Sequence, residues 1–223
     1  TDIGKRWMGF KLFTKRPLTK ILTGLGVEYL VLQVFSRDSG TRSSYLQAHT
    51  EVAPRISTWA LKSGFQADFN CLPSRDVSLE IKDWDGVGCM AFLLIRDEQG
   101  RLYPAPAHRL EPDFDFQPQI YRADGETVRL PDGRYTIDTW RGPEYLRESH
   151  AFILDNPTRK PHFKARLQRW INAAELGWYP GDTHIHAAGC AHYEVPTMGV
   201  TPEAMIRHVR GEALVVGSVL TWA

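Results

Sequence analysis

The chain has 223 residues, of which 43% are hydrophobic and 24% are charged, and its formal net charge is +1. This length fits one large domain or two small ones, and the apolar fraction is sufficient for a hydrophobic core. A net charge near zero argues against a general affinity for nucleic acid. The sequence also lacks the apolar run of roughly 18 residues that a membrane span requires.

Residues 1–158 divide into a short arm and a long β-rich segment. The first 26 residues mix basic and apolar side chains without a clear period, which predicts an irregular arm or a short helix. From Val27 the sequence is rich in β-branched and aromatic residues, with strand candidates at 27–35, 43–50, 65–71, 76–82, 90–96, 126–130, 134–141 and 149–154. Turn residues separate these candidates, so we predict a mainly β fold with an antiparallel β-sandwich over 27–158.

Two features of this segment have more than one interpretation. Residues 104–118 contain four prolines and predict a long loop whose aromatic side chains pack on the sandwich or on a neighbouring domain. Cys71 and Cys89 lie in strand-like segments, where they form either one disulfide or, as we favour, two buried thiols.

The segment that follows the sandwich has a different hydrophobic pattern. Apolar residues recur at helical spacing at Phe163, Leu167, Trp170, Ile171 and Ala174. We therefore predict a helical linker over 159–178, which joins the sandwich to the rest of the chain.

Residues 179–223 contain three of the eight histidines, His184, His186 and His192, within nine positions. Alternate residues of a strand share a face, so Asp182, His184 and His186 are expected to point the same way. Neutral imidazole is a common ligand of zinc and other divalent transition metals. We predict the three histidines as metal ligands and Asp182 as the hydrogen-bond acceptor that orients a ligand imidazole.

The other candidates for chemistry in the sequence are weaker. Cys190 and Glu194 are alternative ligands that we disfavour. The remaining histidines are interpreted as structural or surface residues, and they are His49, His108, His150, His162 and His208. No GxSxG, HExxH or phosphate-loop pattern occurs, so a metal-activated water is the remaining route to hydrolysis.

The residues after the histidines predict a βαβ unit. Thr201 can cap a helix whose first position is Pro202, and Gly211 ends that helix. The apolar run 213–221 predicts a strand that is buried on both faces. One βαβ unit cannot close a barrel, so we expect that the protein continues beyond residue 223 or that another chain completes it.

The motif at Gly181-Asp182-Thr183-His184-Ile185-His186, with His192 six positions on, resembles the first motif of the PHP superfamily of metal-dependent hydrolases. The layout resembles the CehA/McbA-like branch, in which a β-sandwich can precede the PHP barrel. The sandwich segment also resembles carboxypeptidase-regulatory-like modules. The resemblance implies that the three histidines bind divalent zinc, manganese or iron at the mouth of a β/α barrel, which starts at residues 179–223.

By this resemblance the chain is the N-terminal portion of a hydrolase that cleaves phosphoester, ester or amide bonds of a small-molecule substrate. We expect the chain to be inactive alone, because the later ligands would lie beyond residue 223. The chain ends in Thr221-Trp222-Ala223, where many PHP proteins have Thr-Asp-His. This departure supports an alternative, a non-catalytic β-sandwich binding or scaffold protein with a vestigial or structural histidine site. The sandwich and the start at Thr1 lead us to expect a periplasmic or secreted location.

Overall fold

The computed structural model describes residues 8–12, 32–36, 39–48, 63–106, 113–114, 117–155, 158–187 and 200–220. The chain forms two compact units, Thr1–Pro73 and Ser74–Ala223. The division falls within the segment that was predicted as one sandwich, and the histidine strand belongs to the second unit.

The first unit contains two antiparallel strand pairs. Strand β1 (Met8–Leu12) pairs with β2 (Leu32–Ser36), and β3 (Gly40–Ala48) pairs with β4 (Ser63–Cys71). The prediction of an irregular arm or short helix at residues 1–26 is therefore wrong over β1. Apolar side chains alternate there at Met8, Phe10 and Leu12, which is the period of a strand.

The second unit contains a five-stranded antiparallel sheet built around one central strand. Its strands are β6 (Met90–Asp97), β7 (Leu102–Tyr103), β8 (Ile120–Ala123), β10 (Gly133–Trp140) and β11 (Glu148–Leu154). The central strand β6 pairs with β10 along one edge and with β7 and β8 along the other, and β11 pairs with β10.

A three-stranded sheet contributes the other half of the core. Its central strand β5 (Ser74–Lys82) pairs antiparallel with β9 (Thr127–Pro131) and parallel with β12 (His162–Arg166). Buried side chains of both sheets form one hydrophobic cluster, which includes Leu79, Ile81, Leu93, Ile95, Leu130, Ile137 and Phe163. The second unit is thus mainly β and resembles a sandwich, but the parallel β12 makes its smaller sheet mixed.

Strand β6 is buried on both faces. Ala91, Leu93 and Ile95 enter the core between the sheets, whereas Phe92 and Leu94 form a second cluster with Tyr121. Helix α1 (Pro202–Gly211) lies against β6 and β8. This cover explains why the sequence of β6 is a continuous apolar run rather than an alternating one.

The prediction of a helical linker over 159–178 is wrong. Residues 162–166 form strand β12, and Ala173–Leu176 form a single 3-10 turn. Phe163 and Ala165 are buried and Leu167 continues the alternation, while Trp170 is 61% exposed. The period-two burial and the pairing with β5 therefore outweigh the helical spacing of the apolar residues.

The predicted βαβ unit is confirmed. Strand β13 (Gly181–His186) pairs parallel with β14 (Val216–Leu220), and α1 connects them. The Thr201 hydroxyl accepts a hydrogen bond from the Ala204 amide, and Pro202 takes the first helical position, as predicted. The predicted burial of the last strand on both faces is wrong, because Val216 is 51% exposed.

Two further findings concern the cysteines and the membrane. Cys71 and Cys89 are both free thiols. Among the described residues, no helix has the length and apolar character needed to cross a membrane.

Candidate functional site

Strand β13 presents two of the predicted histidines side by side. Ile185 is buried beneath the strand, and His184 and His186 on either side of it are exposed. Their ring centroids lie 5.0 Å apart, with the rings inclined at 63°. The expectation that His184 and His186 share one face is therefore confirmed, and the two imidazoles are close enough to act on one ligand.

Asp182 has a different contact from the one predicted. Its carboxylate oxygen Oδ1 accepts a hydrogen bond from the backbone N–H of His184 at 2.9 Å. The β13–β14 register shifts by one residue between Asp182 and Ile185, as at a β-bulge. The carboxylate thus fixes the backbone before His184, and its predicted role towards an imidazole stays a prediction.

A cavity of about 310 Å³ adjoins the two histidines. Its wall combines residues of β13, of α1 and the segment after it, and of the chain that leads into β8. Those residues include Asp182, His184, His186, His208, Glu212, Tyr121, Gln117 and Phe114. Apolar side chains from the helix side, such as Val209 and Leu214, fill the remainder of the wall.

The segment before β8 is anchored by a buried ion pair. Arg122 donates two hydrogen bonds of 2.6 Å to the Asp113 carboxylate, one to each oxygen. Bidentate pairs of this kind fix geometry as well as charge. Phe114 then stacks on His208 with ring centroids 5.0 Å apart. The predicted packing of this loop's aromatics is confirmed for Phe114, which packs on the βαβ unit.

His208 is held on α1 by a hydrogen bond from its ring to the helix backbone. Nδ1 donates to the Ala204 carbonyl at 2.8 Å, and the side-chain amide of Gln117 faces Nε2 at 3.1 Å. Burial lowers the pKa of His208. These contacts agree with the structural interpretation of His208, which nevertheless lines the cavity.

Glu212 follows the helix and contacts Tyr121 from β8. The Tyr121 hydroxyl donates a hydrogen bond to Oε1 of Glu212. Burial raises the pKa of Glu212, although the hydrogen bond from Tyr121 acts in the opposite direction. Burial, followed by the contact with Glu212, also raises the pKa of Tyr121.

The third predicted ligand, His192, lies outside the described residues, as do Cys190 and Glu194. Within the described ranges, no three His, Cys, Asp or Glu side chains converge where they could hold a metal ion. Two of the three predicted ligands are therefore brought together, and the complete ligand set stays a prediction.

Sequence reasoning missed Tyr121, Glu212 and the position of His208 beside the cavity. A partial signal existed in α1, where Ala204 and His208 are four residues apart and so share a helix face. A histidine on the buried face of the helix that follows a histidine strand points towards the same site. Nothing in the sequence indicates that Tyr121 reaches Glu212, because 91 positions separate them.

Comparisons with protein-family models, with curated proteins and with solved structures found no match to this chain. The resemblance to the PHP superfamily therefore rests on the sequence motif alone.

Proposed function

We propose that the protein is a metal-dependent hydrolase of the PHP type, which cleaves phosphoester, ester or amide bonds of a small molecule. One observation supports this most directly. His184 and His186 lie with ring centroids 5.0 Å apart near the carboxyl end of a parallel strand. Ligands of open α/β sheets bind beyond the carboxyl ends of the strands, and the cavity lies beside this pair.

The donor atoms suit a divalent transition metal. His184 and His186 would supply two imidazole nitrogens, which zinc, manganese and iron all accept. His192, together with residues outside the described ranges, would complete the ligand set. When bound, such a metal would lower the pKa of a coordinated water and polarise the scissile bond. The chain's own part is to hold the two rings on a paired strand and to shape the adjoining cavity.

Zinc binding by the purified full-length protein tests this proposal. We expect His184→Ala and His186→Ala each to weaken zinc affinity at least about tenfold in calorimetry, because each removes a ligand. His162→Ala is the matched control, since His162 lies on β12 and contacts Ser78 and Glu80 instead. A full-length wild-type protein that stays metal-free after zinc or manganese loading would contradict the proposal, as would equal affinity in all four proteins. The rates of hydrolysis of p-nitrophenyl phosphate and p-nitrophenyl acetate then show whether the protein cleaves phosphoesters or carboxylic esters.

A second candidate is a non-catalytic binding or scaffold protein. The exposed aromatic side chains favour it, since Trp178 is 74% exposed, Tyr179 65% and Trp170 61%. Aromatic residues are enriched at protein interfaces. Metal-free protein after loading, combined with no hydrolysis, is the result that this candidate predicts. The periplasmic or secreted location stays a prediction under either function.

A further inference from the structure

Glu212 is a cavity carboxyl that is held by only one of its two oxygens. Its Oε1 accepts the Tyr121 hydroxyl, whereas Oε2 has no hydrogen-bond partner within the described part of the chain. The backbone is fixed as well. A Cβ at Gly142, in the loop after β10, would lie 2.0 Å from the Glu212 carbonyl oxygen, so the two segments are in close contact. The Glu212 carboxyl group therefore has a defined position, and its Oε2 is not engaged by the described residues.

The surroundings of Glu212 favour the neutral acid. Val209 and Leu214 line the same cavity, and Arg207 of α1 is engaged with Glu126 and with the Tyr121 carbonyl. An ionised carboxylate is costly in a partly buried site with such apolar neighbours. In agreement, burial raises the pKa of Glu212.

The titratable groups that line the cavity with Glu212 come from three elements. Strand β13 contributes Asp182, His184 and His186, α1 contributes His208, and β8 contributes Tyr121. Glu212 does not converge with any two of the His or Asp side chains into a metal-holding group within the described ranges. Glu212 and the histidine pair therefore line one cavity without forming a single cluster, and the reacting part of a substrate would enter that cavity.

We propose that Glu212 is the proton donor to the leaving group in the hydrolysis at His184 and His186. This inference rests on the proposed function. As the bond between the leaving oxygen or nitrogen and phosphorus or carbon breaks, the proton of Glu212 passes to that leaving atom. Water supplies a hydroxyl to the other product, and its remaining proton returns through solvent to the Glu212 carboxylate. The sum is one water consumed and one bond cleaved, with Glu212 restored.

Leaving-group dependence combined with zinc content tests this role. Phenyl esters need protonation of the leaving oxygen more than p-nitrophenyl esters do. We therefore expect Glu212→Gln, in the zinc-loaded full-length protein, to lose about 100-fold in rate on phenyl phosphate or acetate, and less than about tenfold on the p-nitrophenyl analogue. Zinc affinity should equal that of the wild type. Glu203→Gln, in the exposed first turn of α1, is the matched control and should change neither quantity.

A carbon-13 NMR titration of the glutamate carboxyls gives a readout that does not depend on turnover. Glu212, assigned by comparison with Glu212→Gln, should titrate above the ordinary glutamate range. An ordinary titration overturns the inference, and so do equal losses on both esters or no hydrolysis by the zinc-loaded full-length wild type. If Glu212→Gln instead loses zinc as His184→Ala does, Glu212 is a ligand and only the proposed role of Glu212 as proton donor is wrong. A full-length wild-type protein that binds no zinc overturns the proposed function itself.

Discussion

Helix α1 approaches β8 closely at Gly211, and replacement of this glycine by alanine should destabilise the second unit. A Cβ added at Gly211 would lie 2.1 Å from Cδ1 and 2.9 Å from Cε1 of Tyr121. Ordinary contact begins at 3.4 Å, so the ring would have to withdraw by more than 1 Å. Tyr121 is only 4% exposed and lies against Phe92 and His208, with centroids 6.1 and 4.5 Å away.

Two opposing effects set the size of the change. Alanine is a better helix former than glycine, which would stabilise α1 by at most about 1 kcal/mol at this terminal position. Overpacking of a buried contact costs about 1–3 kcal/mol. The steric cost is larger because the ring already packs against Phe92 and His208, so we expect Gly211→Ala to lower the free energy of unfolding by about 1–2 kcal/mol.

Urea unfolding of the variants, followed by tryptophan fluorescence, measures this effect. Trp140 packs edge-on against Phe92 and therefore reports on the same cluster. In a Tyr121→Ala background the clash is absent, and the further change Gly211→Ala should be neutral or slightly stabilising. If Gly211→Ala with Tyr121 present is as stable as the wild type, helix propensity outweighs the steric term and the reasoning is refuted.

Three further predictions concern the sandwich. Burial alone would raise the pKa of Asp138, but hydrogen bonds from a serine and an arginine lower the pKa below its ordinary value of 3.8. The contribution of the Asp138 carboxylate to the stability of the fold is therefore fully present above that pH, and it is lost as the pH falls through the folded-state pKa. Asp138→Asn should accordingly flatten the acid dependence of the urea midpoint. Burial raises the pKa of Cys89 to about 12, so iodoacetamide at pH 8 should leave it unlabelled in the native chain and label it in urea, as peptide mass mapping can show. Phe163→Ala should cost about 3–5 kcal/mol in urea unfolding, while its exposed neighbour Lys164→Ala should change stability by no more than about 0.5 kcal/mol. Equal effects would contradict the strand assignment of β12.

The parts of the fold that were predictable are those in which local pattern and tertiary burial agree. Strands β9 and β10 carry alternating apolar side chains and were located to within one or two residues. The segment 160–175 fits both periods, since Phe163 and Leu167 satisfy a helix as well as a strand. Only the pairing with β5 decides between a helix and a strand in this segment. That pairing joins positions about 84 residues apart, such as Ser78 and His162.

The same distinction separates the two halves of the candidate site. The relation between His184 and His186 is local, because alternate residues of a strand share a face whatever surrounds them. The relation between Tyr121 and Glu212 depends on how α1 lies across β6 and β8, which the composition of neither segment records. Gly211 marks that contact in the sequence, but a glycine at a helix end is ordinarily explained as a stop signal. Here it also admits the Tyr121 ring, and the Gly211→Ala measurement therefore tests the wall of the cavity as well as the stability of the helix.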